Sequence, residues 1–312
     1  MTAGGWACGL RGDMITSASN NRIKKVAALN RKAKERRQEE KYVVEGIRMF
    51  LEAPQEEMLE LYLSESFLGL LEPAGSADLA GSGETVEKDE PAGDGEQMQR
   101  LQECRRKLEK LCRGGMVVPE TVSDDVFRKM SDTSSPQGIL CVMRMKRYEP
   151  RQLLAGEKPF LMILEDIQDP GNLGTILRTG EGAGINGVIL SRDCADLFNP
   201  KTIRSTMGSI YRVPFLYVSS LAEAIDWLRQ KKVSVYAAHL QGKRWYDEEN
   251  YTTGCAFLIG NEGNGLRPET AALADTYIKI PMEGKVESPN AAMASGILMY
   301  EAARQRRKNA SS

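Results

Sequence analysis

The chain has 312 residues, 41% of them hydrophobic and 27% charged, with a formal net charge of −1. That length allows about two domains with a sizeable core, and no apolar run approaches the roughly 20 residues that a membrane-spanning helix needs. The N-terminal stretch MTAGGWACGLRGD lacks the charged-then-apolar pattern of a secretory leader, so the cytoplasm is the expected location.

Residues 1–13 read as a disordered extension, and residues 14–145 as one unit. Within it, NRIKKVAALNRKAKERRQEE reads as a basic helix with Ile23, Val26, Leu29 and Ala33 along its buried line. Arg22 to Lys41 hold nine Lys or Arg against three Glu, and such a cluster is either a solvated helix face or a nucleic-acid footprint. KYVVEGIRMFLEA gives a strand and a helix, while LEKLCRGGMVVPE and GILCVMRM give later strands. Between them, Glu72 to Glu96 carry eight acids and one lysine, leaving +6 on the remainder of the chain. Rich in Gly, Pro and Ser, the stretch of about 72–98 cannot bury enough apolar surface to offset its ordering entropy and is expected to be a disordered insertion.

A polar linker, 146–159, leads into the second unit, 160–312. There strands and helices alternate: FLMILEDI, a helix from Asn172, GVILS, a helix around PKTIRSTMG, VPFLYV, SLAEAIDWLRQKK, VSVYAAHL, CAFLIG, a short helix near RPETAALA, TYIKI, and a helix from about Asn290 to Arg307. This alternation predicts an α/β unit with a mainly parallel sheet covered on both faces. Arg304, Arg306, Arg307 and Lys308 give that last helix a basic end.

Six scattered cysteines without a C-x-x-C pair, and one histidine, His239, argue against a zinc site or a disulfide framework. They also leave acid–base chemistry to other groups. What stands out is three loops at predicted strand ends, where ligands of parallel sheets sit: DPGNLGTILR, LIGNEGNGL and IKIPMEGKVESPNAAMASG. Residues 260–265 read Gly-x-x-Gly-x-Gly rather than the dinucleotide G-x-G-x-x-G, and no phosphate loop G-x-x-x-x-G-K-[ST] is present. On the helix after the first loop, Leu173, Ile176, Leu177 and Gly180 make a core-facing stripe. Arg178 points away, beside Gly174, Thr175 and Gly182, on a face that reads as cleared of bulk.

Asn172-x-Gly174-x-x-x-Arg178, Gly260-Asn261-Glu262-Gly263, Ile280-Pro281-Met282 and Ser288-Pro289-Asn290 resemble the three signature motifs of the SpoU/TrmH family, SPOUT-class RNA ribose 2′-O-methyltransferases. The resemblance covers about 160–307. The segments ITSASNNRIKKVAALNRKAKERRQEEKYVVEG and SDTSSPQGILCVM resemble the substrate-binding domain of the family's ribosomal-RNA members, a small ribosomal-protein-like α/β module.

The resemblance implies a deep trefoil knot in the C-terminal sheet, an exception to the rule against threading, and a homodimer with the site near the subunit interface. It implies S-adenosylmethionine held largely by backbone groups at Gly260, Ile280 and Pro289, with Met282 a further cofactor-binding residue. Arg178 becomes the expected catalytic residue, supported by Asn172, Glu262, Ser288 and Asn290. Each of these has a plain alternative: Asn172 as a helix N-cap, Glu262 as a loop carboxylate, Ser288 or Asn290 as caps of the last helix. The resemblance implies that Arg178 assists deprotonation of the 2′-hydroxyl; because a guanidinium keeps its proton at neutral pH, the alternative role is to hold the adjacent phosphate or stabilise the forming alkoxide while the proton leaves by another path. Position 289 departs from the family's usual Ser-Leu-Asn; proline keeps the carbonyl but loses the amide donor. Lys24, Lys25, Arg31, Lys32, Arg48, Lys201 and Arg204 are the expected RNA contacts, Arg212 a further phosphate contact, and no metal is expected. The leading expectation is methylation of 23S rRNA. A transfer-RNA methyltransferase, a member conferring resistance to a ribosome-targeting antibiotic, and a non-catalytic RNA-binding or ribosome-assembly factor of the same fold are the alternatives.

Overall fold

A computed structural model describes residues 11–71, 94–115 and 117–310. The chain divides into two compact units, 1–145 and 146–312, each with its own sheet. Residues 1–10 of the expected extension and 72–93 of the expected insertion lie outside the described residues.

The first unit comprises β1 (Arg11–Ile15), α1 (Asn21–Arg31), α2 (Ala33–Glu39), β2 (Lys41–Glu45), α3 (Ile47–Glu52), β3 (Met58–Ser64), α4 (Glu65–Leu71), α5 (Asp94–Arg113), β4 (Glu120–Val122), α6 (Asp124–Met130) and β5 (Ile139–Arg144). Its sheet runs β1-β4-β3-β5-β2. The pairs with β4 are parallel, and those with β5 antiparallel. Ile23, Val26 and Leu29 are buried as the periodicity predicts, packing with Val43, Tyr62, Phe127 and Leu140; fully burying such a side chain stabilises by roughly 1.5–3 kcal/mol.

Four details depart from the sequence reading. Residues 11–13 belong to β1 rather than to a disordered arm, because β4 supplies a parallel partner. Residues 94–98 begin α5 rather than close the insertion, and LEKLCR is the end of that helix, so the strand that follows among the described residues is β4. The strand β3 escaped the reading because EEMLELYLS mixes acids and leucines in a way that favours no single period. Finally, the basic helix is two helices, with Lys32 extended at φ −123° between them. The carbonyls of Leu29 and Asn30 take hydrogen bonds from the buried Arg36 guanidinium at 2.7 and 3.1 Å, which satisfies the exposed helix end. Arg36 is therefore structural.

The second unit comprises α7 (Pro150–Leu153), β6 (Phe160–Leu164), α8 (Pro170–Ala183), β7 (Gly187–Ser191), α9 (Pro200–Thr206), β8 (Phe215–Val218), α10 (Leu221–Gln230), β9 (Ser234–Ala238), β10 (Arg244–Trp245), β11 (Cys255–Ile259), α11 (Pro268–Ala271), β12 (Thr276–Lys279) and α12 (Ala291–Ala310). All pairs in its sheet, β10-β12-β9-β11-β6-β7-β8, are parallel. Every residue of the central strands β6 and β11 is buried, as a sheet covered on both faces requires. No helix among the described residues is long and apolar enough to cross a membrane.

Two features explain how this unit holds together. The basic end of α12 is only partly a surface cluster: the Arg306 guanidinium lies 4.7 Å over the Phe160 ring and donates to the carbonyls of Tyr251, Lys158 and Thr253, while Arg304 pairs with Glu301 at 2.6 Å. Those carbonyls flank the starts of β6 and β11, so Arg306 serves the sheet. The second feature is the position of β12, the last strand in sequence, between β9 and β10. The turn that joins β9 to β10 crosses over it: His239 N donates to the Ile278 carbonyl and Gly242 N to that of His239, both at 2.9 Å. Passing the last strand beneath an earlier turn is the threading that the family resemblance implies.

Gly242 is buried where the turn crosses, and a Cβ there would lie 2.8 Å from the backbone carbon of Ile278. Gly242→Ala should therefore destabilise the protein by about 1–3 kcal/mol, the usual cost of overpacking, read as a lower urea midpoint at unchanged slope.

Candidate active site

Three strand ends meet on one edge of the second sheet, and their loops are shaped by one asparagine each. After β11 the backbone folds back so tightly that a Cβ on Gly260 would overlap the carbonyl carbon of Gly265 and the amide of Leu266. Asn261 fastens this loop. Its backbone exchanges hydrogen bonds with Gly265 at 3.1 and 2.9 Å, its side-chain oxygen accepts from the amides of Gly263 and Asn264, and its amide donates to the Asp166 carbonyl at 2.8 Å. Gly265 adopts the left-handed φ of +67° that closes the turn.

The next residue, Glu262, turns toward the start of α8. Its carboxylate accepts from the backbone amides of Gln168 and Asp169, each at 3.1 Å, and from Asn172 Nδ2 at 3.0 Å. Partial burial pushes the Glu262 carboxyl up, but the hydrogen bonds from Asn172, Gln168 and Asp169 outweigh it and hold the group below its ordinary range. Asn172 completes the connection by accepting from Asn290 Nδ2 at 3.1 Å. Asn290 in turn caps α12, its Oδ1 accepting from the amides of Ala292 and Met293. Glu262, Asn172 and Asn290 thus form one chain of hydrogen bonds across the three motifs.

Asn172 is not the N-cap. That role belongs to Asp169, which accepts from Asn172 N, with Pro170 as the first helical residue; the Asn172 side chain is free to bridge. Pro289 likewise precedes the Asn290 cap rather than opening the helix.

Arg178 is exposed two turns further along α8 and makes no hydrogen bond or ion pair among the described residues. The glycines beside it do not clear a face for substrate. Gly174 is buried against α9, where a Cβ would meet Ser205 at 2.5 Å and the Thr202 carbonyl at 2.6 Å, and a Cβ at Gly182 would meet the Tyr300 hydroxyl at 3.0 Å. They permit close helix packing, and Arg178 stands above the α8–α9 contact.

A cavity of about 490 Å³ opens beside the bonded asparagines, within the size range of small-molecule sites. Its walls come from residues 238–241, 259–266, 278–280 and 287–289, with Ala291 and Ala294 of α12. Gly260, Ile280, Pro289, Ser288 and Glu262 all face it. Asn172, Asn290 and Arg178 stand outside the lining, and Met282 is in the exposed loop beyond it, 38% accessible. The lining combines backbone polar groups, an apolar wall of Ala238, Leu240, Ile259, Leu266 and Ile278, and two carboxylates, Glu262 and Glu287, against one lysine, Lys279. Such a surface fits an amphipathic nucleoside carrying a positive sulfonium.

Several contributors went unnoticed in the sequence. His239 lines the cavity although it belongs to no motif; its Nδ1 accepts from Gln241 N at 3.1 Å, and its ring packs 4.8 Å from that of Tyr277. Glu165, 1% exposed, accepts from Arg267 N and from the Thr270 hydroxyl. Asp166 takes a left-handed φ of +54° and pairs with the Arg267 guanidinium. An aspartate can adopt that region at modest cost, which was the one available signal.

The expected RNA contacts separate. Lys24, Arg31 and Lys32 are exposed on or beside α1, and Lys25 lines another hollow with Lys41, Glu60 and Glu120. Arg48 pairs with Glu52 at 3.1 Å. In the second unit Lys201 pairs with Asp169 at 3.5 Å, Arg204 lies in the last turn of α9, and Arg212 is bound by Glu181.

Residues 159–300 match the SpoU rRNA Methylase family, and residues 20–88 match the MRM3-like substrate binding domain. The 23S rRNA (guanosine(2553)-2′-O)-methyltransferase RlmP of Bacillus subtilis (strain 168) is 37% identical over 179 residues, 57% of this chain and 70% of that protein. The 23S rRNA (guanosine-2′-O-)-methyltransferase RlmB of Escherichia coli (strain K12) is 31% identical over 195 residues, 61% of this chain and 80% of that one. Among solved structures, an AdoMet-bound rRNA methyltransferase from Sinorhizobium meliloti superposes with a TM-score of 0.73 at 26% identity, covering 94% of this chain and 97% of that chain. The SpoU methyltransferase AviRb from Streptomyces viridochromogenes shares the fold at a TM-score of 0.73 and 22% identity, covering 93% and 99%.

A carboxyl whose folded pKa lies below its unfolded one stabilises fully above the unfolded value, here 4.5, and loses that contribution as pH falls through the folded value. Glu262→Gln should therefore lower stability most at pH 7, and the gap from wild type should shrink below about pH 4.5 in urea titrations run across pH.

Proposed function

The chain belongs to the SpoU rRNA methylase family, and from that membership we propose that it moves a methyl group from S-adenosylmethionine to a ribose 2′-hydroxyl of 23S rRNA. The observation that carries this is the Glu262–Asn172–Asn290 chain joining three loops beside a cavity of matching chemistry. The rRNA target follows from the relatives RlmP and RlmB and from the N-terminal match to a substrate-binding domain. The work then belongs to the cytoplasm, where ribosomes are made.

When bound, S-adenosylmethionine supplies an electrophilic methyl on a good leaving group, so the protein has to align the hydroxyl and assist loss of its proton. Gly260, Ile280 and Pro289 hold the donor through backbone groups and an apolar wall; the carbonyl of Pro289 suffices there, since proline supplies no amide. Glu262 and Glu287 complement the positive sulfonium. Asn172 and Asn290 fix the loops against each other, which keeps the pocket formed before RNA arrives. Ser288, exposed at the rim, positions the ribose. Arg178 donates to the phosphate next to the target ribose and stabilises the forming alkoxide, whose proton passes to solvent water.

Arg178 stands outside the lining of its own cavity, so a second surface has to bring donor and guanidinium together. A homodimer provides it: Met293 and Tyr300, 61% and 55% exposed, form with the half-buried Ile297 an uncovered stripe along α12. Light scattering should give the mass of two chains for the wild type and of one for Met293→Glu/Tyr300→Glu; a monomeric wild type would count against the arrangement.

Arg178→Ala should lower kcat for methyl transfer to unmodified rRNA by about 10²–10³, the usual loss for a preorganised electrostatic donor, while calorimetry finds unchanged S-adenosylmethionine affinity. Alkali-resistant dinucleotides in the product would report ribose methylation. Wild-type turnover by that variant, or transfer to tRNA alone, would overturn the assignment.

A further inference from the structure

Basic side chains in the first unit number many, yet the fold removes several from service. Arg36 is buried on helix-end carbonyls. Arg22 is paired with Glu120 at 2.6 Å, and Arg48 with Glu52. Lys25 points to a hollow shared with Glu60 and Glu120.

Four others converge. A furrow of about 370 Å³ is lined by Ala18, Ile23, Ala27 and Ala28 and flanked by Lys24, Arg31, Lys32 and Lys129. Lys129 comes from the last turn of α6, about a hundred positions away in sequence, and so could not be read as part of the basic cluster. The two helices are locked at this point: Asn30 Nδ2, buried, donates to the Met130 carbonyl at 2.6 Å, and Arg31 donates to the Lys129 carbonyl at 3.4 Å. All four cations are exposed, and the ammonium groups of Lys24, Lys32 and Lys129 have no bonding partner among the described residues. Cations in the last turns of α1 and α6 complement the helix dipoles, but that accounts neither for Lys24, in the first turn, nor for an alanine floor that lets a backbone come close.

We propose that this furrow between α1 and the end of α6 is the track on which the first unit holds the RNA sugar–phosphate backbone, with Lys24, Arg31, Lys32 and Lys129 as its phosphate contacts. The proposal rests on the rRNA-methyltransferase reading. Lys24 and Arg31 lie seven residues apart on one helix, about 10 Å along its axis, which spans more than one phosphate of a strand. The small side chains of the floor, with no aromatic among the described residues that line it, mark a surface that tracks the backbone and reads no base. Sequence choice then belongs to the second unit, and the first supplies affinity and its salt dependence.

The test measures binding of the full-length protein to an unmodified 23S rRNA transcript between 50 and 200 mM salt. Each lost phosphate contact should lower the slope of log K against log salt by about 0.7–0.9. Lys129→Gln alone should lower it by about one such step, and the Lys24→Gln/Arg31→Gln/Lys32→Gln/Lys129→Gln variant by about 3. Arg113→Gln, which removes an exposed cation on α5 outside the furrow, should leave the slope unchanged. S-adenosylmethionine binding by calorimetry and the urea unfolding transition followed by circular dichroism should be equal in all of them, showing that both units are folded. An unchanged slope in the fourfold variant, with RNA still bound and methylated, would overturn the furrow and spare the enzymatic reading; it is also the result expected if an acidic protein segment is the natural occupant. A wild type that neither binds nor methylates the transcript would overturn both.

Discussion

The second unit depends on one side chain that bonds in two directions. Asn172 gives its amide hydrogen to Glu262 and takes one from Asn290, and so couples the first turn of α8, the loop after β11 and the cap of α12. No charged residue could do this, because a carboxylate only accepts and an ammonium only donates. The carboxylate of Glu262 is satisfied at the same time by two backbone amides at the start of α8, where the helix dipole favours negative charge. The pocket is therefore held by a network whose members are paired, the condition under which a polar cluster rigidifies rather than destabilises.

Around that network the walls are built from backbone more than from side chains. Gly260 lets the loop return on itself, and Asn261 substitutes side-chain bonds for the strand ladder that the loop leaves behind. On the far side of the loop, Arg267 and Asp166 form a second tie, with Asp166 kept in an unusual backbone region by hydrogen bonds to Ser191 and Asn261. The loop is thus braced on both flanks, and the cavity it borders has its shape before any ligand enters, which reduces the ordering cost of binding.

Much of this was legible in the sequence. Alternating apolar runs gave the parallel sheet, and the three loops with their Gly, Asn and Glu pointed to one edge of it. Burial of Leu173, Ile176, Leu177 and Gly180 followed the stripe that periodicity predicts. What could not be read was anything set by distant partners. Gly174 looked like a clearing for substrate because α9, thirty residues on, is invisible to a local pattern. His239 carried no motif, since its place at the cavity comes from the turn that crosses β12. The break at Lys32 and the strand β3 were hidden because propensity gives way to tertiary pairing. Arg306 appeared as one more surface cation, although its guanidinium sits among carbonyls from two strand starts.

The strand that passes beneath an earlier turn also constrains how the protein comes into being. β6, β7, β8, β9 and β11 can all pair while residues 276–279 have yet to emerge from the ribosome, because each has a neighbour already synthesised. The nascent domain would then be a sheet with a loop and no pocket. Delivery of β12 requires the 239–243 segment to lift or to close late, a step of long sequence separation that is intrinsically slow. Until it happens two walls of the cavity, from 278–280 and 287–289, are missing, and the cofactor has nowhere to bind. Donor binding therefore reports completed assembly of the chain, and excess donor favours the threaded form by mass action.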